Sequence, residues 1–596
     1  MVLGIPMGNH HVVDPANLPG GLYAPWAHAH WVWLKNDLGN QDNCTALINA
    51  YIDLDIPVGV LNIDSEWATA FNNFEVNITK FPDFRGMIES LHEKDIKVTL
   101  WATSMVNTDD PDYQEAVDNE YLVRWGKTGE VRPLKWWHGS GGLLDYTNPS
   151  AVAWWHEKMD QVLDAGVDGF KTDGTDPYII EYGDEAIGYN DQKINYREYA
   201  DSYYGDFFAY TREKRGDGLI MSRPIDCYYH GVEFTGECLN FSPKDVMYSG
   251  WVGDDDCTWV GLKNAVTKLI YSAWAGYANF GGDIGGYRGS IADNIPGKEL
   301  FIRWAQLMAF MPLMENGGGG EHRPWMFDDE TVRIYRSFVK THMSLCLYLY
   351  ELGNKAMESG SSSVWPIAPN TLPEPHPTST ANLGETRRPF KPPSSLDYLL
   401  GPSLFISPIL HGSKSNDKGL AIASIEFPED SSTMWLDFWE PLKEPHSGGT
   451  KENIPYPLSL YPVFIRKGSY IPMANASDPT IPVFTLYQHC MEYDDMPTVT
   501  TQFRERNGLG MVSTITKTFV GTVEGMFIEA LDVSTTAREG PANFKFIGVD
   551  RPDEIKYDTL KSAMCLDFYQ EKLRVLDIHC REFKGGANFY INFPHK

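Results

Sequence analysis

The chain has 596 residues, 42% of them hydrophobic and 13% aromatic, which is enough to bury several cores and to form about two to four domains. Eighty acidic against 50 basic residues leave a formal charge of −30. That charge repels phosphate backbones and anionic lipid and sets aside nucleic acid and membrane surfaces as partners.

In chain order, the start MVLGIPMGNHHVVDP shows no basic segment followed by an apolar one, and no apolar run approaches the length of a bilayer span. From about Gly20 to Ser359, short apolar runs alternate with amphipathic helical stretches, the pattern of βαβ units. VGVLNID (58–64) reads as the first strand and FRGMIESLHEKD as the helix after it. IKVTLWA, GGLLDYTNP, VDGFKTD, GLIMSR, VMYSGW, YANFGGD and LMAFMPLM follow as further strands, with helix-like material between them. Eight or nine such strands fit a closed (β/α)8 barrel better than an open sheet. The helical run VRIYRSFVKTHMSLCLYLYELGNKAM completes it.

Beyond Gly360 a Pro-, Ser- and Thr-rich stretch reads as a surface excursion. It is followed by short β-branched and aromatic runs of sandwich type, among them LLGPSLFISPIL, YPVFIRKGSYIPM and ANFYINF. The expected fold is therefore α/β: a (β/α)8 TIM barrel over 1–360, then two C-terminal β-sandwich domains over 361–478 and 479–596.

The eight cysteines include no CxxC pair, so neither a zinc site nor a dense disulfide framework is indicated; Cys227 and Cys238 are the closest pair. Sequons at Asn43, Asn77, Asn240 and Asn475 permit N-glycosylation in a secretory, lysosomal or extracellular setting. The 18 Trp and 31 Tyr in so acidic a chain suit ring stacking on neutral, hydroxyl-rich ligands.

Two segments carry chemistry. Asp168-Gly169-Phe170-Lys171-Thr172-Asp173 delivers a lysine and a carboxylate to a strand end, as a (β/α) barrel presents catalytic groups. An Asp after a strand also caps helices, so this segment alone leaves both uses open. Tyr248 to Trp259 places Asp254, Asp255 and Asp256 between glycines and tryptophans after another strand. A solvated acidic turn is the ordinary use of such a run. The flanking Trp251 and Trp259 favour a different one, because an indole wall desolvates a carboxyl and raises its pKa, as a general acid requires. Two strand-end carboxylates in one barrel make a glycosidase the leading chemistry.

With IKVTLWATSMVN, LDYTNPSAVAWWHEKMDQVLDAGVDGFKTD, GWVGDDDCTW, FGGDIGGY and RWAQLMAFMPLME in this order, the chain resembles glycoside hydrolase family 31, retaining α-glycosidases on a (β/α)8 barrel. WLDFWEP and YPVFIRKGSYIPM resemble the β domain that follows the barrel in that family. The resemblance implies Asp173 as nucleophile, with Asp176-Pro177 in place of the acid and proline that usually follow. It implies Asp254 as acid/base with Trp251 as the aromatic residue ahead of it. Asp64, at the end of the first strand, would grip sugar hydroxyls. Arg223 would bind sugar and carboxylate, and Lys171, Trp137 and Asp283 would line the same pocket. Trp101 and Trp137 serve either packing or sugar contact.

Three departures accompany the resemblance. The family's usual β-sandwich ahead of the barrel has no counterpart here, which leaves open a truncated chain or a lost pocket wall. The usual Arg-Asn-His after the eighth strand is replaced by Glu315-Asn316-Gly317, so that either His322 supplies the sugar-binding histidine from a longer loop or that contact is gone. Finally, Asp255 and Asp256 compete with Asp254 for the acid's place. The implied function is an exo-acting retaining α-glycosidase on a neutral α-glucoside or α-galactoside, working through a glycosyl-aspartate and needing no metal or organic cofactor. The other class of reading is a catalytically silent carbohydrate-binding or scaffold protein on the same fold. The oligomeric state is left open.

Overall fold

The structure is a computed structural model that describes residues 22–592 apart from internal stretches, the longest of which are 175–184, 227–238, 290–296, 372–391, 475–481, 488–498 and 504–510. Asp176, Pro177, Glu321, Asn475, Cys227 and Cys238 lie outside the described residues.

Eight parallel strands form the barrel: β1 (His30–Leu34), β2 (Val60–Ile63), β3 (Lys97–Ala102), β4 (Gly169–Thr172), β5 (Leu219–Ser222), β6 (Ser249–Val252), β7 (Gly281–Gly282) and β8 (Met314–Asn316). β8 pairs with β1 through His30 and Met314, and a parallel bridge between Asp283 and Glu315 joins the end of β7 to β8, so the barrel closes. Strands β1, β2, β4, β5 and β6 are buried along their whole length, because helices cover one face and the barrel core fills the other. That is why they appear in the sequence as continuous apolar runs rather than alternating ones.

The covering helices include α1 (Gln41–Asp53), α2 (Phe84–His92), α3 (Pro149–Leu163), α4 (Tyr196–Arg215), α5 (Trp259–Trp274), α6 (Lys298–Met308) and α7 (Asp329–Ser344). Their ends are set locally. Asn195 and Glu198 close a capping box at the start of α4, and Thr258 accepts from the Gly261 amide to start α5. Gly166, at φ +115°, makes the turn from α3 into β4.

The structure corrects three of the expected strands. The first is HWVWL at 30–34, so Asp64 ends the second strand rather than the first. GGLLDYTNP does supply a strand, Gly139–Leu143, but it pairs antiparallel with Met105–Asn107 in a small side sheet outside the barrel. The leading residues of LMAFMPLM belong to α6, and β8 begins only at its last methionine. A short apolar run is equally compatible with a buried helix and a buried strand, and periodicity does not separate them.

Asp168, on the approach to β4, ties the barrel together at the end opposite the site. Its side chain is fully buried and accepts from His92 Nε2 (2.7 Å), Lys97 Nζ (3.0 Å) and the Val98 amide (2.9 Å), with Arg215 at 3.5 Å. Burial works against the charge, yet the His92 hydrogen bond and Lys97 hold the carboxyl below its usual range. Asp168→Asn is expected to cost about 1–3 kcal/mol at pH 7, because it removes the buried charge to which His92, Lys97, Arg215 and the Val98 amide are directed, while the three side-chain partners are 27–31% exposed and keep contact with water. A depressed folded pKa gives stability that is present above the unfolded value and lost as pH falls through the folded one. Urea titrations should therefore show the gap between wild type and variant narrowing in acid; a gap that does not change with pH would contradict the ion-pair account.

After α7 and a second helix, Cys346–Ser359, the chain enters mostly antiparallel sheets, with one parallel pairing between Pro482–Tyr487 and Gly540–Ile547. Six strands between Val364 and Arg466 form one sheet, and Ala421–Glu426 pairs with Lys451–Tyr456 beside it. Two five-stranded sheets follow, reaching Asn592. Tyr470–Ala474 belongs to the first of these through its pairing with Pro482–Tyr487, so sheet pairing crosses the expected division at 478. The barrel is pinned to the neighbouring sheet from α6. Buried Arg303 donates to the carbonyls of Leu460, Tyr456 and Pro457, and Gln306 donates to that of Leu458. Among the described residues no helix is long and apolar enough to cross a membrane.

Candidate active site

A cavity of about 330 Å³ opens at the C-terminal ends of the barrel strands. Seven of the eight strands contribute through their last residues or the loop after them: Trp33 from β1, Asp64 after β2, Trp101 in β3, Lys171 and Asp173 from β4, Arg223 after β5, Trp251 and Asp254 from β6, Asp283 after β7. Side chains at this end converge because the barrel strands are parallel and their loops face one way. Nine of the ten expected site residues line this one cavity, Trp137 completing the set.

Arg223 is the hinge of the arrangement. Its Nε is 2.8 Å from Asp173 Oδ1 and its Nη2 is 3.2 Å from Asp254 Oδ2, so one guanidinium bridges the two carboxylates. Asp173 also accepts from the Gly174 amide at 2.9 Å and from Trp101 Nε1 at 3.2 Å. Burial alone would raise its pKa, but the charge and hydrogen bond of Arg223, with Lys171 behind, hold Asp173 below the usual carboxylate range. It is an anchored, ionised carboxylate. Trp101 is thus more than packing, since its indole N–H fixes one of the carboxylate oxygens.

Lys171 lies under the cavity, with its ammonium 4.0 Å from the centre of the Trp33 ring and 4.9 Å from that of Trp251. Asp64 and Glu315 stand 3.4 and 3.5 Å from it. Burial opposes this charge as well, but Glu315 and Asp64 outweigh it and raise the Lys171 pKa. Asp283 and Glu315 are themselves pushed up, chiefly by burial. At least part of this acidic floor therefore keeps its proton where exposed carboxyls have lost theirs.

The structure separates the three consecutive aspartates. Asp254 faces the cavity from a backbone at φ +59°. Asp255 turns away to Lys268 Nζ at 2.9 Å, and Asp256 points to Arg288 at 3.7 Å. The environment of Asp254 differs from the dry indole wall expected of it. Its side chain is 21% exposed and paired with Arg223, while Trp251 lays its ring against the cations Arg223 and Lys171. A tryptophan face carries negative charge density and so prefers a cation to a carboxylate.

His322 is not part of the cavity lining. It is buried behind it, with Nε2 2.9 Å from Cys257 Sγ and 3.1 Å from the Gly286 carbonyl, which corrects the expectation of a sugar-contacting histidine. Sequence reasoning missed Trp33, Ser65, His138, Tyr287 and Arg288, all of which line the cavity. Trp33 was findable, because HWVWL has the aromatic and β-branched content of a strand. His138, stacked on Phe71 at 4.3 Å, sits beside the half-exposed Trp137 and has no such signal. Among the described residues no group of three or more potential ligands is arranged to hold a metal ion.

Comparison with known proteins agrees with this architecture. The glycosyl hydrolases family 31 TIM-barrel domain matches residues 21–352, and the glycosyl hydrolase family 31 C-terminal domain matches residues 379–471. The α-xylosidase XylQ of Lactiplantibacillus pentosus is 24% identical over 464 residues, which is 76% of this chain and 55% of that protein. A 1,3-α-isomaltosidase of Kribbella flavida is 26% identical over 495 residues, 75% of this chain and 61% of that protein. The chain thus spans roughly half the length of such curated relatives. Among solved structures, a Flavobacterium johnsoniae dextranase complexed with isomaltotriose superposes with a TM-score of 0.74 at 18% identity, over 96% of this chain and 71% of the dextranase. With more than half of its length matched by the barrel model, this chain belongs to glycoside hydrolase family 31.

Proposed function

We propose that the protein is a retaining exo-α-glycosidase that releases a terminal α-linked neutral hexose, a glucoside or galactoside, by double displacement. The observation that carries this reading is the single guanidinium of Arg223 spanning Asp173 and Asp254, which sets an anchored anion and a second carboxyl around one small cavity. Asp173 attacks the anomeric carbon as its bond to the leaving oxygen breaks, and Asp254 gives its proton to that oxygen. Asp254 then takes a proton from water as the water displaces Asp173 and regenerates the free carboxylate. Retention calls for carboxyl groups about 5 to 5.5 Å apart in the working complex.

The cavity lining offers sugar hydroxyls both donors and acceptors, with Asp64, Asp173, Asp254 and Asp283 beside Lys171, Arg223 and Arg288. The similar proteins carry the names α-xylosidase, isomaltosidase and dextranase, so the pentose must be tested alongside the hexoses.

The test is hydrolysis of p-nitrophenyl α-glycosides of glucose, galactose, xylose and N-acetylgalactosamine, with the first-formed anomer followed by NMR. The expected result is turnover of glucoside or galactoside with the α-anomer appearing first. A β-anomer appearing first would remove the double displacement. Folded protein that binds oligosaccharide and turns over none of the panel would support the silent binding reading.

A further inference from the structure

The loop that presents Asp254 is held in an unusual conformation. Asp254 has φ +59°, a left-handed backbone that L residues rarely adopt without support from their surroundings. Part of that support is the strapping around it. Lys268 Nζ donates to the Gly253 carbonyl at 2.6 Å and pairs with Asp255 at 2.9 Å. The Asp255 carbonyl accepts from the amides of Tyr287 and Arg288, and the Cys257 amide donates to the Arg288 carbonyl. The acid loop is therefore stitched to the loop after β7.

A further link reaches the loop after β8. Cys257, three residues beyond Asp254, is buried with Sγ 2.9 Å from His322 Nε2, and the same nitrogen is 3.1 Å from the Gly286 carbonyl. The His322 ring lies flush on the β7 loop, 2.7 Å from where a Cβ on Gly285 would sit. Its neighbour Arg323 donates to Asn316 Oδ1 at 2.6 Å and also to the Trp33 carbonyl, which anchors this loop to β8 and β1. The Cys257–His322 contact thus joins the loops of three consecutive strands directly behind Asp254.

The pair is not a nucleophilic dyad. Burial pushes the Cys257 thiol up to about 12 and pulls the His322 imidazole down to about 4, so neither group is charged at neutral pH and no thiolate forms. What remains is a short, uncharged, buried hydrogen bond.

We propose that the Cys257–His322 hydrogen bond is a clamp that positions Asp254 for proton transfer to the leaving oxygen, making Cys257 and His322 positioning residues for acid catalysis. The inference rests on the glycosidase reading above. Its consequence is selective, because proton transfer is sensitive to small displacements of the donor, whereas Asp173 follows β4, two strands away, is held by the Gly174 amide and Trp101 as well, and meets this loop through Arg223.

The experiment compares wild type, Cys257→Ala, Cys257→Ser and His322→Asn on glycosides of one sugar with leaving groups of rising basicity: fluoride, p-nitrophenoxide and an alkoxide. Fluoride leaves without a proton. With the clamp cut in Cys257→Ala and His322→Asn, kcat/KM is expected to fall roughly 10-fold on the alkyl glycoside and to stay near wild type on the fluoride. Cys257→Ser, whose hydroxyl serves as donor or acceptor to either tautomer of His322, should restore much of the loss. A loss equal across all leaving groups would mean only that less protein is correctly folded, and no loss would mean that the contact is incidental; either result overturns the clamp. Should Cys257→Ala fail to fold, His322→Asn still gives the leaving-group slope. Inactivity of folded wild type on every member would instead remove the glycosidase reading, and the clamp with it.

Discussion

Asp173→Ala is expected to lower hydrolysis of the preferred α-glycoside by roughly 10⁴-fold or more, the scale seen when a covalent nucleophile is deleted. The fold should survive, because Asp173 sits at the rim of the barrel and its partners keep other contacts. Arg223 retains Asp254 at 3.2 Å, and Trp101 remains buried against Trp136. Added azide should restore turnover to the alanine variant and give the β-glycosyl azide, since a small anion then attacks from the face that Asp173 has vacated. Steady-state rates and NMR of the product decide the matter. A variant within tenfold of wild type would strip Asp173 of its role.

The wild type carries a matching pH signature. Asp173 must be ionised to attack, and although burial opposes the charge, Arg223 and Lys171 hold its pKa below the usual carboxylate range. The acidic limb of kcat/KM should accordingly lie below that range, with activity maintained as pH falls until the depressed pKa is reached.

The second large effect belongs to Asp254. Asp254→Ala is expected to lower kcat/KM about 10²- to 10⁴-fold on glycosides with poor leaving groups and far less on glycosyl fluorides, because in the first step only the former need a proton. Azide should again rescue, now with the α-glycosyl azide as product, since it attacks the glycosyl-Asp173 intermediate in place of water. Asp256→Asn serves as the control: that carboxylate points to Arg288, so its loss should show no dependence on the leaving group. A leaving-group slope in the Asp256 variant and none in the Asp254 variant would move the acid by two positions.

Much of the site was legible because it lies at strand ends. VDGFKTD, GLIMSR and YANFGGD are apolar runs ended by a charged residue, and in a closed parallel barrel every such ending faces the same mouth. The family resemblance implies that Asp173, Arg223 and Asp283 share one pocket, and their places at strand ends are consistent with it. HWVWL and LMAFMPLM show the limit of that reading. The first carries a strand's composition, but three of its residues are shared among tryptophan and histidine types that serve equally well in loops. The second holds both the end of α6 and the start of β8, and nothing in its hydrophobicity marks the join.

The alternation of buried apolar runs with amphipathic helices and the presence of carboxylates at two strand ends were determined by the sequence itself, since strand and helix periods and strand-end chemistry are local properties. Only the tertiary structure decided which of three adjacent aspartates faces the cavity, that Trp251 covers cations rather than the acid, and that His322 clamps Cys257 instead of touching the cavity. Those outcomes depend on the sign of φ at Asp254 and on loops from three different strands meeting behind it. Such contacts are paid for by long-range packing, and their partners lie tens of residues apart, beyond the reach of any periodic pattern.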